Sequence, residues 1–282
     1  MISTHIYGGL GNQLFQYSAG RALSLQHGVN LRLIWSGGNN KSRALAMMHF
    51  NVNCKIFPSA KLSKRFDFDV IKNFLKHGPP VIFCEKMQGF DDQFNSLGVN
   101  VRLKGYWQSE KFFKTFASVI RKDLQIVTLP TKQNQLLSEK ILSKNSVAVH
   151  IRRGDYITDS SANTIHGTCS IEYYKGAMDY IATKSRKQTI FYIFSDDIPW
   201  AMENLITEHE VVFVDHNNDI TNYEDLRLMS QCKHNIIANS SFSWWGAWLN
   251  INPQKIVITP QKWYADNNTK NEDLIPSNWM KI

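Results

Sequence analysis

Short apolar runs alternate with stretches of helical period along the chain. Ile2 to Tyr7 predicts a strand, broken by Gly8-Gly9-Leu10-Gly11-Asn12-Gln13. Leu14, Tyr17, Ala22 and Leu25 then recur on one helical face and predict a helix over 14–27, with Asn12 as its cap. Val29 to Trp35 predicts the next strand, so the opening is β, glycine loop, α, β, a pattern of the α/β class. The pattern is weaker from 36 to 100. It predicts short strands at His49–Val52 and Val81–Phe83, a break at Gly78-Pro79-Pro80, and a helix start at Val70. Val99 to Lys104 predicts a strand that runs into a polar aromatic turn, Gly105-Tyr106-Trp107-Gln108-Ser109, followed by a helix from Glu110 to Arg121. Pro130 to Lys144 reads as a polar helix and a hinge.

The second half has the clearer period. Val147, Val149 and Ile151 alternate with Ala148 and His150, which predicts a strand covered on both faces. That strand ends in Arg152-Arg153-Gly154-Asp155, with His150 and Arg152 on one side and Arg153 on the other. Helix is predicted at 171–183, 225–232 and 242–249, and strand at 189–194, 211–214, 234–238 and 256–259. Two α/β domains are therefore expected, 1–140 and 141–282, the second with a parallel sheet.

Composition narrows the class. Apolar residues make up 43% of the 282 positions and charged residues 20%, which excludes disordered and fibrous chains. The net charge of +8 favours an anionic partner: nucleic acid, a nucleotide-type substrate or an acidic membrane surface. Four cysteines with no CxxC spacing argue against a disulfide framework or a structural zinc site, so a reducing, cytoplasmic setting is expected. The first residues carry no signal-peptide pattern. No uncharged apolar run reaches about 18 residues, which leaves at most peripheral membrane contact.

Three predicted strands end in polar clusters: Arg152-Arg153-Gly154-Asp155, Ser195-Asp196-Asp197 and Asn239-Ser240-Ser241. In a parallel sheet such ends share the rim where ligands bind. Arginine forks and hydroxyls at a helix start suit phosphate. A carboxylate accepts from ribose hydroxyls or from a guanine edge. Together these parts match a nucleoside diphosphate. Each also has a plain structural role, an ion pair for the arginines and a helix cap for Ser240, Asp196 and Asp197. The turn holding Gly9, Gly11 and Asn12 lacks the third glycine and the acidic residue of a dinucleotide site, but its backbone can face a phosphate or sugar. Asp67-Phe68-Asp69 formally matches a metal-binding DxD but sits at a helix start, where acids are favoured by the dipole. No clustered Cys or His, P-loop or GxSxG is present, and no metal ligand set is assigned. Trp244, Trp245 and Trp248 lie at helical spacing and read as core.

His150-Ile151-Arg152-Arg153-Gly154-Asp155 resembles the HxRRxD signature of α-1,2-fucosyltransferases and the related α-1,6- and O-fucosyltransferases. Gly8-Gly9-Leu10-Gly11-Asn12-Gln13-Leu14-Phe15-Gln16-Tyr17 is similar to the N-terminal block of the α-1,2 family. So are Gly105-Tyr106-Trp107-Gln108-Ser109-Glu110, Phe194-Ser195-Asp196-Asp197 and the stretch from Asn239 to Gly246. The resemblance covers nearly the whole chain and names a bacterial-type enzyme of glycosyltransferase family 11. It implies a GT-B-like fold of two Rossmann-like domains with the active site in the cleft between them. It implies inverting, metal-independent transfer of L-fucose from GDP-β-L-fucose to the 2-OH of a terminal β-galactoside, a lipid-linked one included, in bacterial surface-glycan (O-antigen) synthesis. The second domain would bind the donor. The first would supply the glycine loop and much of the acceptor side.

On this resemblance Arg152 stabilises the departing β-phosphate, with Ser240 or Ser241 assisting. His150 contacts the guanine, and Asp225 resembles the base-reading aspartate of the α-1,6 enzymes. Asp155 either takes the acceptor proton or orients an arginine; a phosphate oxygen or water is the alternative acceptor. The rival readings are another GDP-sugar or fucosyl linkage, a lectin without catalysis, and a basic nucleic-acid-binding module. The last is disfavoured because the arginines cluster at strand ends rather than in a stripe interleaved with aromatics.

Overall fold

Two all-parallel sheets organise the computed structural model, which describes residues 1–36, 44–58, 68–86, 88–154, 164, 167–185, 187–265 and 272–282. The first unit comprises Met1–Thr128 with Asn271–Ile275, and the second Leu129–Lys270 with Pro276–Ile282.

In the first unit the strands are β1 (Ile2–Ile6), β2 (Leu31–Trp35), β3 (Lys55–Pro58), β4 (Val81–Cys84) and β5 (Val101–Lys104), in the order β3-β2-β1-β5-β4. β1 pairs with β2 on one side and β5 on the other. The strand order therefore reverses at β1, and the crevice beyond its carboxyl end is the ligand position of such sheets. Helix α1 (Leu10–Gln26) begins four residues ahead of the expected start. Gly9 is its N-cap, so Gly11 and Asn12 lie inside the first turn rather than in a loop. The helix extends upstream because Leu10 buries its side chain and the buried Gln13 holds the turn. Gln13 Nε2 donates to Gly8 O and Ala44 O, and its Oε1 accepts from Ala46 N.

Two expectations in this unit fail. No strand forms at His49–Val52. A 3-10 turn runs from Met47 to His49, Phe50 makes a single bridge to Ile126, and β3 forms further on. The helix expected from Glu110 is instead two 3-10 turns, Glu110–Phe112 and Lys114–Phe116, before α3 (Ala117–Asp123). The cause is that adjacent Phe112 and Phe113 are both buried, in different places. Phe112 packs on Phe90, Phe94 and Trp107, and Phe113 on Phe15. Helix α2 (Phe68–His77) forms where a helix start is expected. It turns Asn73 inward to Asn100, at 2.6 Å, and leaves Ile71, Phe74 and Leu75 exposed. Asp67 lies outside the described residues.

In the second unit α4 (Lys132–Ser143) leads into β6 (Asn145–Ile151), followed by α5 (Ile171–Ser185), β7 (Thr189–Ser195), α6 (Ile198–Asn204), β8 (Glu210–Phe213), α7 (Asn222–Gln231), β9 (His234–Ile236), α8 (Ser241–Leu249), β10 (Val257–Thr259) and β11 (Met280–Lys281). The division falls ahead of α4, not within it at 140/141. Ser138 Oγ donates to Gln231 Oε1 at 2.8 Å and Ile141 enters a core with Leu228 and Met229, so α4 packs against α7 of the second unit. The sheet order is β11-β10-β9-β6-β7-β8.

The alternation along β6 is realised on both faces. Val147, Val149 and Ile151 pack with Tyr174, Ala177, Met178 and Ile181 of α5. Ala148 packs with Ile141 of α4 and Leu228 and Met229 of α7. Each such branched aliphatic, at 0–1% exposure, contributes about 1.5–3 kcal/mol by burial. Trp244, Trp245 and Trp248 are core, as expected, buried against one another and Trp279.

Candidate active site

The rim of the second sheet collects the three polar clusters. β6 is paired with β9 on one side and β7 on the other, so the strand order reverses between β6 and β9. Their carboxyl ends deliver Arg152-Arg153-Gly154 and Asn239-Ser240-Ser241 to that switch point. Ser195-Asp196-Asp197 arrives beside them from β7.

Register decides which residues meet. Ile151 is level with Ser195 in the parallel ladder. Continued past the strand ends, that register puts Arg152 beside Asp196 and Arg153 beside Asp197. Arg152 Nη1 lies 3.0 Å from Asp196 Oδ2, and Arg153 Nε lies 3.6 Å from Asp197 Oδ2. The other Asp196 oxygen accepts from the Arg153 backbone N–H at 2.9 Å. One carboxylate thus fixes both the backbone after β6 and the Arg152 guanidinium. Partly exposed pairs of this kind add about 1 kcal/mol or less each to stability. Orientation is their larger effect.

The two arginines are set up differently. The Arg153 guanidinium lies over the Trp200 ring, 3.5 Å from its centroid, so an indole of α6 and Asp197 anchor it. Arg152 keeps 29% of its side chain exposed at the rim. Asp197 also caps α6, accepting from Trp200 N, and Ser195 Oγ accepts from Asp197 N. The carboxylates read as acceptors for ribose or guanine are here turned to arginines and backbone. Gly154 gives the Asp196 carboxylate its room, since a Cβ there would lie 2.4 Å from Asp196 Oδ2 and one of the two would have to shift. Asp155 lies outside the described residues.

Ser240 caps α8, accepting from Phe242 N at 3.3 Å, and is buried; Ser241 is half-buried. Asn239 is buried, and its amide donates to Gly167 O and Trp263 O. His150 is 4% exposed, its ring packs on Phe242, and its Nδ1 finds no partner among the described residues. Burial, and then the Arg152 charge, push its pKa down to about 3, so it is a neutral interior imidazole at working pH.

Asp225 lies in the first turn of α7, which follows the loop from the carboxyl end of β8. It accepts from Asn217 Nδ2 at 2.7 Å. Asn217 exchanges amide hydrogen bonds with Asn134, whose Oδ1 also meets His216 Nε2. Burial, supplemented by Glu224 and opposed by the Asn217 bond, raises the Asp225 pKa from 3.8 to about 7. Between those values the folded chain binds a proton that the unfolded chain does not, so stability falls as pH rises. Asp225→Asn keeps an oxygen for Asn217 and removes the titration. Thermal melts from pH 4 to pH 8 are expected to show a shallower decline with rising pH in this variant. Identical pH dependence in both proteins would remove Asp225 from the titrating set.

The first sheet presents a second rim at its own switch point. Tyr7, Gly8 and Gly9 follow β1, Glu85 follows β4, and Gly105 to Gln108 follow β5. Gly11 is buried in the first turn of α1, while Gly9 and Asn12 are half-buried. Asn12 Oδ1 accepts from Gln108 Nε2 at 2.8 Å, linking the glycine turn to the aromatic turn. Glu85 accepts from two successive backbone N–H groups, Tyr106 at 2.6 Å and Trp107 at 3.0 Å. Trp107 has φ of 57°, left-handed for a bulky residue, at a cost of about 1–2 kcal/mol. The two hydrogen bonds and burial of the Trp107 ring against Phe83, Phe94 and Phe112 hold it there. Sequence reasoning missed Glu85, Trp200, Asn134 and Asn217. A lone Glu, Trp or Asn carries no signal until pairing brings its partner close.

The family model described as glycosyl transferase family 11 matches residues 1–282. The chain is 32% identical to an alpha-1,2-colitosyltransferase of Escherichia coli, covering all of this chain and 99% of that one. It is also 32% identical to the O-antigen biosynthesis glycosyltransferase WbnK of Escherichia coli, over 98% of each. It is 31% identical to the galactoside alpha-(1,2)-fucosyltransferase 1 of Rattus norvegicus, over 53% of this chain and 42% of that protein. Among solved structures, NodZ alpha-1,6-fucosyltransferase soaked with GDP-fucose aligns with TM-score 0.52 at 14% identity, over 91% of this chain and 94% of that one. That likeness shows a shared, GT-B-like fold.

Proposed function

Since the chain belongs to glycosyl transferase family 11, we propose that it transfers L-fucose from GDP-β-L-fucose to the 2-OH of a terminal β-galactoside, with inversion and without a metal, in the assembly of a bacterial surface glycan. The observation that carries this reading is Arg152, partly exposed at a sheet switch point and held by a carboxylate from the neighbouring strand end. As the C1–O bond to GDP breaks, negative charge grows on the β-phosphate. A planar, permanently charged fork fixed before the reaction meets that charge without reorganising. The N-terminus of α8, with Ser240 and Ser241, adds backbone donors in the same reading. The acceptor hydroxyl attacks C1 from the opposite face and gives its proton to Asp155, a phosphate oxygen or water. Asp225, neutral or charged near pH 7, is the reader of the guanine edge.

The acceptor is a galactoside, a lipid-linked one included. Peripheral contact with a membrane on the cytoplasmic side belongs to the same reading. Its support is α2, which exposes Ile71, Phe74 and Leu75 beside Lys72 and Lys76, the composition of a helix that lies in a lipid interface.

Calorimetric titration with GDP and then ADP, in EDTA, tests the donor site. GDP is expected to bind selectively, and Asp225→Ala to weaken GDP far more than ADP. Equal binding of both nucleotides by the wild-type protein overturns the reading. A second reading is supported by the 32% identity with an alpha-1,2-colitosyltransferase: colitosyl in place of fucosyl transfer, with the α-1,2 linkage kept. Competition between the two donors for one acceptor, followed by linkage analysis of the product, separates them.

A further inference from the structure

The first unit contains an aromatic turn whose geometry exceeds what its fold requires. Where the chain needs left-handed backbone it ordinarily uses glycine. Here, after β5, it passes through left-handed backbone at Trp107, a residue that L side chains disfavour in this region. Such backbone persists only where its surroundings enforce it, and it concentrates at ligand sites. The enforcement is visible. Glu85 reaches across from the end of β4 and accepts from both Tyr106 N and Trp107 N. Gly105 leaves room for it, since a Cβ there would lie 2.4 Å from Glu85 Cβ and 2.8 Å from Glu85 Oε2.

The consequence is a division of labour between neighbouring rings. Trp107 is driven into the core at 1% exposure, while Tyr106 is turned outward at 43%. Tyr106 does not stand alone. Its ring meets that of Tyr7, at the end of β1, with centroids 5.1 Å apart and planes inclined at 62°. Tyr7 is itself fixed, its backbone N–H donating to the buried Gln16 at 3.0 Å. Burial, followed by Tyr106 and Glu85, pushes the Tyr7 phenol up to about 12, so it remains a neutral donor. The turns that carry the pair are joined by the Gln108–Asn12 amide link. Two inclined aromatic rings, each with a phenol, form a corner with a polar edge. The C–H face of a pyranose fits such a ring face, and its hydroxyls fit the polar edge.

We propose that Tyr106 and Tyr7 form a subsite for a pyranose ring of the acceptor glycan, and that Glu85 is the positioning residue that holds Tyr106 outward. The inference rests on the reading of the acceptor as a sugar and names where one of its rings lies. It assigns Glu85 no contact with substrate.

Saturation-transfer NMR with lactose, in the presence of GDP, reads the subsite directly, and acceptor kinetics with lactose extend the result. In the wild-type protein, transfer to the galactose C–H protons is expected. Tyr106→Ala should abolish it and raise the acceptor KM about tenfold, whereas Tyr106→Phe should retain both. GDP affinity, measured separately, should be the same in all three. Glu85→Gln loses one of its two acceptors. It should raise the lactose KM while leaving kcat and GDP affinity within about twofold, a split that general destabilisation does not produce. Unchanged lactose transfer in Tyr106→Ala overturns the subsite, and an unchanged KM in Glu85→Gln overturns the positioning role. Absence of lactose transfer in the wild type also overturns the subsite. Selective GDP binding in that case would leave the donor reading standing, so the two failures are distinguishable.

Discussion

Arg152→Lys is expected to reduce kcat by about 10²–10³-fold, equivalent to about 2.7–4 kcal/mol of transition-state stabilisation. The lysine keeps the positive charge. It loses the planar fork that can face Asp196 and a phosphate oxygen together. Arg152 stands at 3.0 Å from Asp196, and lysine keeps an aliphatic stem along the same path, so the substitution changes the charged head more than the packing. The melting temperature and GDP-induced stabilisation should therefore stay close to wild type while turnover collapses. Initial rates at saturating donor and acceptor, alongside thermal melts, make the comparison. Near-wild-type kcat in this variant would show that the growing phosphate charge is met elsewhere.

Gly154→Ala is expected to cost about 10²-fold in kcat although it touches no substrate. The added methyl would fall 2.4 Å from Asp196 Oδ2, closer than any stable contact. Either the carboxylate moves by about 1 Å or the backbone after Arg153 does, and a displacement of that size at a reacting centre is worth about 10²-fold. Asp196 is the group that binds both Arg152 and the Arg153 N–H, so either movement misaims the guanidinium. The discriminating measurement is the double variant Gly154→Ala with Asp196→Ala. If the glycine acts through the carboxylate, its effect is non-additive and the double variant is no slower than Asp196→Ala alone. Full additivity would assign Gly154 another role.

The sequence legibly carried the elements whose cause is local. The alternation of Val147, Val149 and Ile151 specified a strand buried on both faces, because side-chain direction in a strand has period two whatever lies around it. The parallel α/β class of the second half, its three polar strand ends and the tryptophan core came from the same kind of pattern. The family blocks were readable too, since they are runs of contiguous residues. Less local features were misread. The helix expected from Glu110 broke because Phe112 and Phe113 belong to different clusters, and a periodicity count cannot see which cluster claims which ring. The start of α1 moved to Leu10 because Gln13 is stitched to Gly8, Ala44 and Ala46, one of them local and two distant.

Which carboxylate each arginine meets was decided only by tertiary structure. The sequence puts Arg152 and Arg153 on opposite sides of the strand, but it does not say which of Asp196 and Asp197 each one meets. The register that sets Ile151 level with Ser195 assigns Asp196 to Arg152 and Asp197 to Arg153. Trp200 then pins one arginine and leaves the other at the rim. Glu85 acquires its role only because β4 pairs with β5, which brings its carboxylate to the Tyr106 and Trp107 amides. Composition and local period fix which residue types a strand end carries. Strand pairing across distant sequence fixes which of them meet, because a hydrogen bond or ion pair depends on distances that no linear pattern contains.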